Sequence, residues 1–203
     1  MLPKKIILAT ANANKAREFQ DLLPGMRVEP KPAGFKLPEE TGNTFEDNAR
    51  LKARALREWY LQTASLADGK PPWVMADDSG IEVSALAGGP GIYSSRYAGE
   101  QATDVENVSK LLADLSGNPD RSARFVCVIV CYSPEGLEYI AEGELKGVIA
   151  AEPHGEFGFG YDPVFIPENY STTVSELAGE EKNRISHRAR AAQSLLSQLG
   201  DGR

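Results

Sequence analysis

The chain has 203 residues, of which 41% are hydrophobic and 25% are charged, a composition typical of globular proteins with a sizeable core and not of disordered ones. The formal net charge of -7 argues against broad binding to nucleic acid, because a protein that grips a polyanion needs a basic face. The opening stretch MLPKKIILATAN has too short an apolar run for a signal peptide or a membrane span. We therefore expect a cytoplasmic protein with neither a membrane nor a nucleic-acid partner.

The first half of the chain alternates predicted strands and helices. The expected elements are a buried strand over residues 4–10, a helix over 14–23 that stops before Pro24 and Gly25, an extended piece in MRVEPKPAGF, a long helix over 44–67 with Thr44 as its N-cap, and a strand WVMADD that ends on its two acids. In the long helix, Phe45, Ala49, Leu56 and Tyr60 share one face.

The second half continues this alternation. It predicts a helix over residues 104–115, two long strands around the turn SPEG followed by a third strand, and a final loop and helix in SELAGEEKNRISHRARAAQSLLSQL. No repeat or linker divides the chain, so we expect one domain over 1–203 with an α/β fold. Cys127 and Cys131 lie four residues apart in one strand and are expected to be buried thiols.

Two segments are candidates for binding phosphate and metal. ATANANK, residues 9–15, joins a strand to a helix, where backbone N–H groups, the helix dipole and Lys15 suit a phosphate; an ordinary capped turn is the alternative. Asp77 and Asp78 suit a hard cation such as Mg²⁺, with partners available in LPEETGNTFEDNA; a turn built by DDSG is the alternative.

Two further segments are candidates for holding a nucleobase. GEFGFGYDPVF combines glycines with rings for stacking and an acceptor, Asp162, although its aromatics would equally fill a core. EEKNRISHRARAA carries a cationic cluster at the start of the last helix, and this cluster either reads a base edge or forms a solvated face.

Five blocks, in this order and spacing, resemble the inosine/xanthosine triphosphate pyrophosphatase family: ATANANKAREF, TFEDNARLKA, ADDSGIEVSALAGGPGIYSSRYAG, GFGYDPVF and SELAGEEKNRISHRARA. The resemblance runs from about residue 5 to residue 196. It implies Mg²⁺-dependent hydrolysis of ITP, dITP and XTP to the monophosphate and pyrophosphate, which keeps these bases out of DNA and RNA. It also implies an elongated α/β fold with a central mixed sheet, two lobes around a substrate cleft, and a homodimer.

The resemblance also assigns site residues. The family's phosphate loop Thr-Gly-Asn-x-x-Lys falls on Thr10, Ala11, Asn12, Ala13, Asn14 and Lys15, with Ala11 in place of the glycine. Lys52 matches a second lysine for the phosphates, Ser79 a substrate contact, and Glu40 and Asp78 the metal ligands. The base-binding residues match Phe159, Gly160, Tyr161, Asp162, Lys182, His187 and Arg188.

The expected mechanism gives Asp78 the additional role of general base, which orients or deprotonates a water for attack at the α phosphorus. Asp77 or a hydroxide on the metal is the alternative base, and Asp77 is also a possible metal ligand. Donors such as Arg188 and Lys182 would favour the 6-oxo group of hypoxanthine over the 6-amino group of adenine. A module that binds nucleotides without cleaving them, and a phosphohydrolase for modified pyrimidine or standard nucleotides, are the alternative functions.

Overall fold

The computed structural model describes residues 2–63 and 70–201. Its strands are β1 (Lys5–Leu8), β2 (Arg27–Pro30), β3 (Val74–Val83), β4 (Ser122–Tyr132), β5 (Glu138–Ile149) and β6 (Phe165–Pro167). Its α-helices are α1 (Ala13–Leu22), α2 (Phe45–Thr63), α3 (Asp104–Asp114), α4 (Gly179–Ile185) and α5 (His187–Asp201). The strands form one six-stranded sheet in the order β2-β1-β3-β4-β5-β6. The predicted α/β fold is confirmed.

The sheet is mixed. Strand β1 pairs in parallel with β2 and with β3, and β5 pairs antiparallel with β6. The third strand predicted after the SPEG turn is not separate, because β5 continues without a break to Ile149. None of the helices in the described ranges is both long and apolar enough to cross a membrane.

The chain forms two compact units. Unit 1 comprises residues 1–78, 127–143 and 188–203, and unit 2 comprises residues 79–126 and 144–187. In unit 2, helix α3 packs Val108 and Leu111 into a core with Ile81 and Phe165. The predicted cleft stays a prediction.

Unit 1 has an apolar core on each face of its sheet strands. Alternate residues of a strand point to opposite faces, so Met75 joins Phe19 of α1 and Leu195 of α5 in one cluster. Val74 and Ala76 join the cluster formed by the apolar side of α2. This alternation decides where the acids that follow in β3 must point.

Helix α2 forms where its sequence predicts it. Thr44 Oγ1 accepts the Asp47 N–H at 3.0 Å, and Ala49 and Leu56 are buried on the face that packs against the sheet. Phe45 is buried as well. The last residues of the predicted helix, 64–67, lie outside the described residues.

The prediction that the strand WVMADD ends on its acids is wrong. Strand β3 runs through Asp77 and Asp78 to Val83. The pattern Asp-Asp-Ser-Gly favours a turn by local preference, but both carboxylates are buried in β3 and meet cations from elsewhere in the chain. Buried charges are tolerated within a strand when they are paired in this way.

Candidate active site

Asp77 is ion-paired with Lys15 on the face of the sheet covered by α1 and α5. Lys15 Nζ lies 2.8 Å from Asp77 Oδ2, and the two side chains are 15% and 1% exposed. Burial raises the pKa of Asp77, but the charges of Lys15, Arg188 and Lys52 outweigh it and hold this pKa below its usual value. Asp77 is therefore a stable carboxylate, and Lys15 is not the solvated lysine of an ordinary capped turn.

The loop before Lys15 does form a helix cap. Asn12 is the N-cap of α1, and its side-chain oxygen accepts the N–H groups of Asn14 and Lys15 at 2.9 and 3.2 Å. Thr10 Oγ1 accepts the Asn12 N–H at 3.1 Å. Ala13 is the first residue of the helix.

Ala11 stands where the resemblance expects glycine. Among the described residues other than glycine, only Ala87 and Asn169 have positive φ, so Ala11 occupies a conformation open to any L-residue. Its methyl group therefore costs the loop no backbone strain.

Asp78 points to the opposite face of the sheet, toward α2. Lys52 Nζ lies 3.2 Å from Asp78 Oδ1 and 2.8 Å from Glu40 Oε1. The carboxylates of Glu40 and Asp78 thus converge on one positive charge. Burial, reinforced by Glu40 and Asp77, raises the pKa of Asp78 although Lys52 opposes the change. Lys52 has the reverse balance: burial lowers its pKa, but its acidic neighbours raise it above the usual value.

The two adjacent acids therefore have opposite electrostatic environments. The pKa of Asp77 is depressed by cations, whereas the pKa of Asp78 is raised mainly by its burial. Neighbouring carboxyl groups whose pKa values are pushed apart are a recurrent feature of acid–base sites.

The donor set fits a divalent metal ion. In the described ranges, no three His, Cys, Asp or Glu side chains are placed to hold a metal ion. Mg²⁺ usually takes one or two protein carboxylates and completes its shell with waters and phosphate oxygens. Glu40 and Asp78 are such a pair, and the ammonium group that they share shows that their oxygens converge on a cation.

Arg188 is a buried residue in the first turn of α5. Its Nη1 donates to Glu18 Oε2 of α1 at 3.0 Å, and the two side chains are 7% and 15% exposed. In the sequence, only the position of Glu18 one helical turn after Lys15 indicates a role for it. The structure brings it into the site as the carboxylate that holds Arg188.

The segment GFGYD folds into a tight turn in unit 2. Asp162 Oδ2 accepts the Phe159 N–H at 3.0 Å and Lys182 Nζ at 2.9 Å, and this Nζ lies 4.7 Å from the centroid of the Phe159 ring. Asp104 Oδ2, at the start of α3, accepts the Gly160 N–H at 2.7 Å. Gly158, with φ +86°, leaves room for Asp162, because a Cβ atom there would lie 2.2 Å from Asp162 Oδ2.

The three rings of this segment have different environments. Phe157 is 68% exposed, Phe159 is partly exposed, and Tyr161 is buried in the core of unit 2 with its hydroxyl donating to Ser94 O at 2.8 Å. The Phe159 ring thus lies beside Lys182, whereas the Tyr161 ring is held in the core of unit 2.

The predicted cationic cluster is divided between different environments. His187 is buried and stacks on Phe125, with ring centroids 4.8 Å apart. Arg184 is 69% exposed and pairs with Glu181, as a residue of a solvated face does.

Ser79, the remaining predicted site residue, is a half-buried residue within β3. Asn48, Asp104 and Glu18 are polar residues that contact predicted site residues, and none of them was predicted from the sequence.

The α/β fold therefore buries two carboxylates in its sheet, and each of them is paired with a lysine. The chain belongs to the Ham1 family, whose model matches residues 6–198. A dITP/XTP pyrophosphatase of Bdellovibrio bacteriovorus is 45% identical over 199 residues, which cover 95% of this chain and 96% of that protein. The corresponding protein of Bacillus subtilis is 42% identical, with 98% of both chains covered. The Ham1 protein of Staphylococcus aureus has a similar structure, with a TM-score of 0.83, 40% identity, and 98% and 100% of the two chains covered.

Proposed function

We propose that this chain hydrolyses the non-standard purine nucleoside triphosphates dITP, XTP and ITP to the monophosphate and pyrophosphate. Relatives named dITP/XTP pyrophosphatase match it over nearly their whole length. The observation that carries the proposal is the site in β3, where consecutive carboxylates are each paired with a lysine. Removal of such nucleotides would keep their bases out of DNA and RNA.

The phosphates would be bound by the loop of residues 10–15 and by Lys52. Lys15 is paired with Asp77, so its ammonium group is held in place before a phosphate arrives. The ammonium group of Lys52 lies beside Glu40 and Asp78, next to the proposed metal ligands. The N–H groups at the start of α1 point out of the helix and suit a phosphate oxygen, which would replace the oxygen of Asn12.

Glu40 and Asp78 would hold Mg²⁺, which would neutralise charge on the phosphates and polarise the scissile anhydride. Asp78 is the proposed base that orients a water at the α phosphorus, since it is a buried carboxylate beside a phosphate-binding lysine. Asp77, held by Lys15, is the alternative base and a possible further ligand.

The purine would stack on Phe159 in the turn that includes Gly160, Tyr161 and Asp162, with Lys182 beside it. Arg188, with His187 and Ser79, would complete the contacts to the nucleotide. A donor such as Arg188 or Lys182 at the 6-oxo group of the base would face another donor if adenine were bound, and that mismatch costs enough to give selectivity.

We further propose one catalytic domain spanning residues 1–203, a substrate cleft, a homodimer and a cytoplasmic location. The domain, the cleft and the homodimer follow from the resemblance noted in the sequence, and the cytoplasmic location follows from its two free cysteines, which suit a reducing compartment.

The test is pyrophosphate release from dITP, XTP, dATP and dGTP with Mg²⁺ present, for the wild type and Asp78→Asn. We expect rapid turnover of dITP and XTP alone, and its loss in the variant. Equal cleavage of all four would contradict the assignments of Phe159, Lys182 and Arg188. Tight binding without turnover would identify a nucleotide-binding module, and cleavage confined to dATP and dGTP would identify a different phosphohydrolase.

A further inference from the structure

Asn48 is a fully buried polar residue of α2 that contacts the candidate active site. Its Nδ2 donates to Asp78 Oδ2 at 3.2 Å, and its Oδ1 accepts the Gly42 N–H at 2.8 Å. A buried amide is stable only when both of its ends are hydrogen-bonded. In Asn48 one end is bonded to a site carboxylate and the other to the backbone of the segment before α2.

The position of Asn48 complements that of Lys52. The two residues are four apart in α2, so their side chains lie one above the other on the same face of the helix. Lys52 contacts Asp78 Oδ1 and Asn48 contacts Oδ2. The two oxygens of one carboxylate are thus held by different donors, which fixes the rotation of the carboxylate plane.

The contact with Gly42 connects Asn48 to Glu40. Gly42 approaches α2 so closely that a Cβ atom there would lie 2.7 Å from Asn48 Oδ1 and 2.5 Å from Asp47 Cβ. Glu40, two residues earlier, reaches Lys52 Nζ. The segment that carries Glu40 is therefore tied to α2 at Asn48 and Lys52.

We propose that Asn48 is a positioning residue that holds Asp78 and Glu40 in one fixed arrangement for a divalent cation. The part of this inference that concerns catalysis rests on the proposed function. It does not rest on any contact between Asn48 and substrate. Partners that orient metal-binding carboxylates commonly change metal affinity or activity by 10-fold to 100-fold when they are removed.

The test compares Asn48→Leu with Asn107→Leu. Asn107 is a matched control, because it is a buried asparagine of α3 whose Oδ1 accepts the Ala98 N–H at 2.8 Å and whose Nδ2 donates to Ser95 O at 3.1 Å, so it joins backbone groups alone. Three quantities are measured: the Tm without ligand, the rise in Tm on adding Mg²⁺ without nucleotide, and kcat and KM for dITP.

Both variants should lower the Tm. Asn48→Leu alone should raise the Mg²⁺ concentration needed for a given rise in Tm, and lower kcat, by about tenfold or more, with a much smaller change in KM. The proposal is overturned if Asn48→Leu keeps the magnesium response and kcat of the wild type, as we expect Asn107→Leu to do.

Gly42→Ala tests the same link from the other side, and it serves as the second variant if Asn48→Leu does not fold. It should weaken the magnesium response in the same direction, and an unchanged response would overturn the proposal. The magnesium response, which is the rise in Tm on adding Mg²⁺, is measured without nucleotide. A wild type that does not hydrolyse dITP would therefore refute the proposed function while leaving the role of Asn48 measurable.

Discussion

Lys15 Nζ and Asp77 Oδ2 form a 2.8 Å ion pair that joins the first turn of α1 to the middle of β3, and the Asp77 side chain is almost completely buried. A strand can carry a charge at this depth only while a cation lies beside it. The pair thus belongs to the fold as well as to the candidate site.

Lys15→Met should lower the free energy of unfolding by about 3 kcal/mol, because it leaves the Asp77 carboxylate buried without its nearest cation. The double variant Lys15→Met with Asp77→Asn should recover most of that loss in urea denaturation. Turnover of dITP should stay low in both, since neither has the ammonium group for the phosphates. Equal stability of the single variant and the wild type would contradict the structural role of the pair.

Glu18→Ala should reduce the preference for dITP over dATP, measured as the ratio of kcat/KM values, by about tenfold. The physical reason is that the Arg188 guanidinium loses the carboxylate that fixes its direction. Glu181→Ala is the control, because its partner Arg184 is largely exposed. A parallel fall in activity toward both nucleotides would indicate that Glu18 has no part in selectivity.

Asp104→Ala should raise the KM for dITP by about tenfold with a smaller change in kcat, because the Gly160 N–H loses a charged acceptor and the turn carrying Phe159 loosens. Asp114→Ala removes a carboxylate from the other end of α3, where it contacts Lys110. This control should leave the KM as in the wild type. Similar KM values for all three proteins would argue against the turn as the base-binding element.

Ser175→Ala should increase the free energy of unfolding by about 1 kcal/mol. Ser175 Oγ is buried and has no hydrogen-bond partner within the described residues, so its hydroxyl is desolvated without compensation. Ser94→Ala should have the opposite effect, because Ser94 Oγ accepts the Ile81 N–H at 2.9 Å and donates to Gly91 O at 2.6 Å. Chemical denaturation of the two variants beside the wild type measures both signs.

Cys127 and Cys131 should not react with a chromogenic thiol reagent at pH 8 in the native protein. Both are fully buried, and burial raises the pKa of each thiol far above its usual value, so the reactive thiolate is scarce. Two equivalents should react in denaturant, since the sequence has two cysteines. Rapid reaction under native conditions would show that this part of β4 opens readily.

The sequence predicted most of the fold because the apolar pattern follows the faces of the sheet. Cys127, Ile129 and Cys131 alternate with Val130 and Tyr132 between the two clusters of unit 1. The extension of β3 was missed because its stability depends on pairs such as Lys52 with Asp78, which are distant in sequence. Local preference in Asp-Asp-Ser-Gly contains no information about them.

The motifs and their order in the sequence predicted which lysines and acids belong to the site. They did not predict which acid each lysine contacts. Alternation along β3 settles this, because Asp77 and Asp78 face different helices. The helical spacing of Asn48 and Lys52 was a signal that could have been used. Asp104 had no comparable signal, since its role depends on a contact with the distant Gly160.

The alternation in β3 has a further consequence for folding accuracy. If β3 slipped by one residue against its neighbours, every side chain would change faces, and at most one of Asp77 and Asp78 would still meet a lysine. Apolar residues penalise such a slip weakly here, because Val74, Met75 and Ala76 are all buried whichever face they occupy. The charges penalise it more, since each carboxylate is matched to one fixed cation. The acids therefore favour the native alignment of the sheet, because a β3 paired out of register would leave a buried carboxylate without its cation.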